Sequence, residues 1–223
     1  MYEDIHYNEV VSLPIDSPLL KMDGVPLMVQ CPSLKDMLGD KLTTFAPHTT
    51  GIPFFKGEDA FFMEIMKQLY DVSSIIDRID DISDVRKTYN QLAPIELGYR
   101  KLDQLTVADV LEDSYNSAMN ICHRGTLDRT EYGYYVEGAR SVDKFIIPEN
   151  YNADIAIRDA AKVAYLVRLI QTGNNQVKHY KPEMNEELAG TLIQNLQLNK
   201  LNRIKKISLE AFFYLLEIEK MAE

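Results

Sequence analysis

Two pairs of lysine and aspartate have the spacing that could support chemistry in this 223-residue chain. Asp40 and Lys41 are adjacent in an otherwise apolar helical stretch, where a lysine stem can pack while its ammonium reaches a cleft. Lys67 and Asp71 are four residues apart, so a helix would place them on one face. Ammonium groups can neutralise phosphate oxygens, and a carboxylate can orient a metal, a substrate hydroxyl or a lysine. An ordinary helix lysine and an i,i+4 ion pair would give the same spacing, so both interpretations stay open.

The elements that must hold these residues are helices. Ser33 and Asp36 have the spacing of a capping box, and apolar residues at helical spacing then continue to Leu42, before Pro47 ends the helix. A Gly-, Thr- and Pro-rich loop separates it from a long amphipathic helix predicted over residues 58–79. Further helices are predicted over residues 83–100, 106–123, 154–172, 185–194 and 204–221.

The first thirty residues have the pattern of two irregular strands, with a turn signal at Asp23-Gly24. Two strands are marginal by themselves, so we expect the remnant of a sheet that begins upstream. The predicted fold class is α+β and predominantly α-helical, with a strand remnant at residues 1–31 and a helical bundle at residues 32–223. A loop or hairpin insertion is predicted within residues 125–150, where the helical periodicity breaks.

Composition narrows the classes of function. A net charge of −10 argues against a nucleic-acid binder that uses its whole surface, and the basic group at residues 200–206 fits a solvated helix face better than a phosphate-binding patch. No run approaches the roughly 20 apolar residues of a membrane span, and the N-terminus lacks the order of a signal peptide, which predicts a cytoplasmic protein with no membrane partner. The two cysteines and four histidines have no metal-ligand spacing.

Common catalytic motifs do not explain the chain. The sequence contains no GxSxG, HExxH, P-loop or GxGxxG pattern, so Ser/His/Asp hydrolysis and Rossmann-type dehydrogenation are not the leading hypotheses. The lysine and aspartate pairs therefore remain the candidate site.

Two segments around those pairs resemble a known family. GDKLTTFAPHTTGIPFF (residues 39–55) and KQLYDVSSIIDRI (residues 67–79) are similar to the downstream motifs of the AbiEii/AbiGii nucleotidyltransferase toxins of type IV toxin–antitoxin and abortive phage-infection systems in bacteria. The resemblance is strongest over residues 14–100, and the rest of the chain is expected to match the family's helical C-terminal part. It implies a nucleotidyltransferase-like sheet followed by helices.

The resemblance also implies an activity and assigns residues to it. The activity is transfer of a nucleotide from a nucleoside triphosphate, with Mg²⁺, to an RNA such as tRNA or to a protein. Lys41, Lys67 and Asp71 match the catalytic positions, and Asp40, Lys41 and Lys67 match the nucleotide-binding ones. The lysines would stabilise charge on the leaving pyrophosphate, and an antitoxin protein is the expected partner.

The chain departs from the family pattern in one respect. The family's Gly-Ser turn and following Asp-x-Asp pair, which hold the catalytic metals, occur nowhere in the sequence, and neither Asp4 nor Asp80-Asp81 replaces them. We therefore expect no metal-ligand residue here and no activity from this chain alone, either because an N-terminal half is missing or because catalysis was lost.

The alternative to a nucleotidyltransferase is a non-catalytic helical module that binds an antitoxin, another protein or RNA. The open strand edge also predicts a homodimer.

Overall fold

A computed structural model describes residues 7–16, 23–147 and 149–221 of the chain. Asp4 and the parts of the predicted strand segment at residues 1–6 and 17–22 lie outside the described residues. Two N-terminal strands, β1 (Val10–Pro14) and β2 (Met28–Pro32), pair antiparallel with Val10 opposite Pro32. Helices make up most of the remainder, so the predicted α+β, predominantly helical fold class is confirmed.

The helical part also contains one short hairpin. Its strands are β3 (Phe55–Lys56) and β4 (Asp59–Ala60), and Gly57 between them adopts a φ of 64°, which favours glycine. The helices are α1 (Leu34–Thr44), α2 (Phe62–Ile76), α3 (Ser83–Tyr99), α4 (Val107–Cys122), α5 (Arg129–Val142), α6 (Ala153–Thr172), α7 (Asn185–Gly190) and α8 (Leu209–Met221).

Side-chain caps fix several of the helix ends. The Ser33 hydroxyl accepts a hydrogen bond from the backbone N–H of Asp36 at the start of α1. Thr106 and Asp109 form the reciprocal capping box at the start of α4, and Gly173 closes α6 with a φ of 76°. These three ends agree with the predicted positions.

Helix α6 forms the centre of the bundle. It packs against α4 on one side and against α8 and α2 on others, and nearly all of its residues from Ala156 to Ile170 are buried. Small side chains allow this close packing: Ala156, Ala160, Ala161 and Ala164 are all buried.

Helix α1 is held between α2 and α3. A Cβ atom at Gly39 would lie only 2.7 Å from the carbonyl oxygen of Val85 on α3, so glycine is required for this approach. The glycine that precedes Asp40 and Lys41 therefore sets how α1 lies on its neighbours.

The structure corrects the prediction of a loop or hairpin within residues 125–150. Residues 129–142 instead form α5, which packs along α2. Gly133 and Gly138 interrupt the helical pattern in the sequence, yet a Cβ atom at Gly138 would lie 2.2 Å from the carbonyl oxygen of Phe62. Gly138 is thus a contact residue between two helices rather than a turn residue.

Other predicted helix boundaries also move, and the helix predicted over residues 185–194 ends at Gly190. The helix predicted from residue 58 begins at Phe62 because residues 55–60 form the β3–β4 hairpin, and it ends at Ile76. The last helix begins at Leu209 rather than residue 204, since residues 199–206 form a 3₁₀ segment.

Candidate functional site

The candidate site is centred on an ion pair between α1 and α2. Lys41 Nζ lies 2.7 Å from Asp71 Oδ2, although the two residues are thirty positions apart in the sequence. Their side chains are 30% and 26% exposed, so the pair is partly shielded but still reachable from solvent. The structure therefore brings together two of the three residues predicted to be catalytic.

Lys67, the third predicted residue, lies on α2 one turn before Asp71. A four-residue separation along a helix is about 6 Å. Lys67 is exposed, and within the described ranges it has no carboxylate in ion-pair distance. The i,i+4 ion pair that the spacing suggested is thus not formed, because Asp71 pairs with Lys41 across the helix interface instead.

Asp40 lies beside Lys41 but is oriented by a different contact. The Tyr7 hydroxyl donates to Asp40 Oδ2 at 3.5 Å. Burial raises the pKa of Asp40 above its ordinary value, while the hydrogen bond from Tyr7 and the charge of Lys41 act in the opposite direction. The pKa of Tyr7 is raised as well, first by burial and then by the Asp40 carboxylate.

Two further contacts hold α2 in place near the ion pair, one to α1 and one to α6. Thr44, almost one turn beyond Lys41, has its Oγ1 3.0 Å from Gln68 Oε1 and 2.6 Å from the carbonyl oxygen of Lys41, so its single hydroxyl proton is shared between these two acceptors. On the other side of Asp71, Ser73 donates from Oγ to Asp159 Oδ1 at 2.8 Å, which attaches α2 to α6. The Asp71 carboxylate is therefore carried by a helix that is tied to two neighbours.

The TTGIP segment has a structural role beside the site. Thr50 Oγ1 donates to the carbonyl of Thr43 at 2.6 Å, and the N–H of Gly51 donates to the carbonyl of Ala46 at 2.7 Å. A Cβ atom at Gly51 would lie 2.4 Å from the backbone of Ala46, so this tight turn requires glycine. The segment closes the C-terminal end of α1.

Sequence reasoning missed a charged network at the centre of the bundle. On α6, Arg158 bonds both Glu149 and Asp159. Also on α6, Lys162 is only 4% exposed at its side chain. It pairs with Asp77, the residue that follows α2, at 2.8 Å and with Glu210 on α8 at 2.7 Å. A signal for this network is present in the sequence. The helix has apolar residues around its whole circumference, and the few charged residues within it are therefore expected to be buried and paired.

The site combines two ammonium groups, on Lys41 and Lys67, with two carboxylates, on Asp40 and Asp71. Lys41 and Lys67 supply ammonium groups on α1 and α2, while the Asp71 carboxylate is already bonded to Lys41. Over the residues that the structure describes, no three His, Cys, Asp or Glu side chains are placed to hold a metal ion. A lysine ammonium can bind phosphate oxygens, whereas the described residues bring no third metal-ligating side chain to Asp40 and Asp71.

Comparisons with known proteins give no relative for this chain. No family model matches it, and neither the curated proteins nor the solved structures contain a match. In the described part of the chain, no helix combines the length and the apolar character needed to cross a membrane.

Proposed function

We propose that this chain provides the lysine side of a nucleotidyltransferase site of the AbiEii/AbiGii type, acting in the cytoplasm on an RNA, such as tRNA, or on a protein acceptor. The observation that supports the proposal is the 2.7 Å pair between Lys41 and Asp71. Sequence resemblance selects these residues from two separate motifs, and the packing of α1 on α2 brings them into contact.

The pair gives Lys41 a defined orientation. A lysine ammonium has three N–H donors, and the bond to Asp71 uses one of them. The remaining donors are free to bind phosphate oxygens of a nucleoside triphosphate, and the exposed Lys67 adds a second positive charge on the same helix face as Asp71. Positive charge held in this way would stabilise the pyrophosphate as it leaves.

The metal ligands of the reaction must come from residues other than these. The Gly-Ser and Asp-x-Asp pattern is absent from the 223 residues. We therefore propose that a further segment or another chain supplies the Mg²⁺-binding carboxylates. This chain alone binds the triphosphate without transferring it, and an antitoxin is its regulatory partner.

Titration calorimetry with the magnesium salts of ATP, GTP, CTP and UTP tests the proposal. The native chain should bind at least one of them, and Lys41→Ala or Lys67→Ala should weaken that binding about tenfold, since each removes a charged hydrogen-bond donor. Lys35→Ala is the matched control, because Lys35 lies on α1 with 36% side-chain exposure and also faces carboxylates, those of Asp81 and Asp84. Equal losses in all three variants would contradict the proposal.

A non-catalytic interaction module is the second candidate function. It is favoured by apolar side chains exposed on and around the two-stranded sheet, a surface that a protein partner or a second copy of the chain would cover. These side chains are Val10, Leu13, Val25, Leu27 and Met28, with exposures of 48% to 95%. Absence of triphosphate binding, or binding that is indifferent to Lys41→Ala and Lys67→Ala, would favour this module.

A further inference from the structure

A pocket of about 440 Å³ lies between α8 and the segment that leads into α7. Its volume is in the range of ordinary small-molecule sites, roughly 300 to 1,000 Å³. Leu188, Phe213 and Leu216 form its apolar floor, and each is less than 9% exposed. The pocket includes neither Lys41, Lys67 nor Asp71, so it is separate from the candidate nucleotide site.

Lysines dominate the polar wall of this pocket. Lys178 and Lys220 each bond one oxygen of the same carboxylate, that of Glu217, at 2.6 Å. Lys181 is a third lysine in the wall, and it has no ion-pair partner among the described residues. The other charged or titratable residues that line the pocket are Glu187, Glu217 and His179. The pocket lining therefore has three lysines against two glutamates, and Asp80 bonds the lining residue His179 at 3.1 Å, on a chain whose net charge is −10.

Glu217 holds two of these lysines in place. Its side chain is only 6% exposed, whereas those of Lys178 and Lys220 are 60% and 53% exposed. Burial raises the pKa of Glu217, but the hydrogen bonds from the two lysines outweigh burial and lower its pKa below the ordinary value. The carboxylate is thus a charged anchor, and each ammonium keeps donors that Glu217 does not use.

We propose that this pocket binds a small amphipathic anion, with the acid group at Lys178, Lys181 and Lys220 and the apolar body against the floor. Charge complementarity selects the acid group, because donors on both sides of Glu217 can bind oxygens of one anion. The buried floor selects the apolar body, because covering it removes hydrocarbon surface from water. This binding is independent of the nucleotidyltransferase proposal.

Octanoate and n-octylammonium are the matched probes, since they share an apolar chain and differ in the charge of the head group. Titration calorimetry on the full chain should detect binding of octanoate and at least tenfold weaker binding of octylammonium. Equal affinities, or no octanoate binding at millimolar concentration, would overturn the proposal.

Three single variants locate the site. Lys220→Gln and Lys181→Gln should each weaken octanoate binding several-fold, whereas Lys206→Gln, an exposed lysine outside the pocket, should leave it unchanged. Lys181→Gln breaks no ion pair in the described structure, so it keeps the test valid even if Lys220→Gln impairs folding. If all three variants bind octanoate as tightly as the native chain, the ligand lies elsewhere and the assignment is contradicted.

Discussion

Asp36 links the N-terminal strand to the helices. Its carboxylate accepts the backbone N–H groups of Asn8 and Glu9 at 3.1 and 3.0 Å, and the hydroxyls of Ser33 and Thr88 also donate to it. Burial raises the pKa of Asp36, but hydrogen bonds from Thr88 and the other partners prevail and hold it at about 2. The ionised carboxylate is therefore the form that the fold stabilises.

The low pKa of Asp36 predicts an acid-sensitive contribution to stability. Because the folded value lies below the ordinary value of 3.8, the contribution is fully present above pH 4 and disappears as the pH falls from about 4 to 2. Its size is about 2 kcal/mol. Urea unfolding at several pH values should show this loss in the native chain and a smaller one in Asp36→Asn. Parallel pH profiles for the two proteins would contradict the assignment.

The candidate site shows what residue spacing can and cannot predict. The lysine and aspartate motifs of the sequence single out Lys41 and Asp71, and the two side chains are in contact. Their partnership was not predictable, because spacing favoured Lys67 as the neighbour of Asp71. The packing of α1 on α2 decides the pairing, and that packing depends on contacts such as Gly39 with α3, which are distant in sequence.

Helix α5 offers a direct test of how glycine supports helix contact. Gly138→Ala would place a Cβ atom 2.2 Å from the carbonyl oxygen of Phe62 and should destabilise the chain by about 2 kcal/mol through overpacking. Gly133→Ala is the control on the same helix, because it has no neighbouring atom within 4 Å. Alanine there should be neutral or stabilising by up to about 1 kcal/mol.

Thermal and urea unfolding of the two glycine variants measure this difference. The same change at Gly133 and Gly138 should have opposite or clearly unequal effects on the free energy of unfolding. Equal effects would show that residues 129–142 do not pack on α2 as described. The sequence could not predict this helix, since a glycine at a helix contact and a glycine in a turn give the same local pattern.

The charged network on α6 connects three parts of the bundle. Lys162 pairs with Asp77 at the C-terminal end of α2 and with Glu210 on α8, so its removal leaves these two carboxylates without their shared cation. We expect Lys162→Ala to lower the free energy of unfolding by about 2 kcal/mol or more, since it removes both ion pairs together with the buried hydrocarbon stem that packs between the helices.

Lys87→Ala is the matched control for this network. Lys87 pairs with Asp84, but its side chain is 61% exposed, and solvent screening leaves such surface pairs with little effect on stability. Denaturant midpoints compare the two variants, and an equally small change in both would show that Lys162 is not buried between helices. Helical periodicity predicted the overall class and most helix positions, but not this network, which depends on residues up to 85 positions apart.

Labelling with an acyl-phosphate derivative of ATP, which transfers its acyl group to lysines near the terminal phosphate, tests the proposed nucleotide site most directly. Peptide mapping should find Lys41 and Lys67 labelled, with the signal suppressed by excess unmodified triphosphate. Labelling governed by exposure would instead favour Lys87, whose side chain is 61% exposed against 30% for Lys41. Labelling in that order, insensitive to added triphosphate, would contradict the assignment of Lys41 as a phosphate-binding residue.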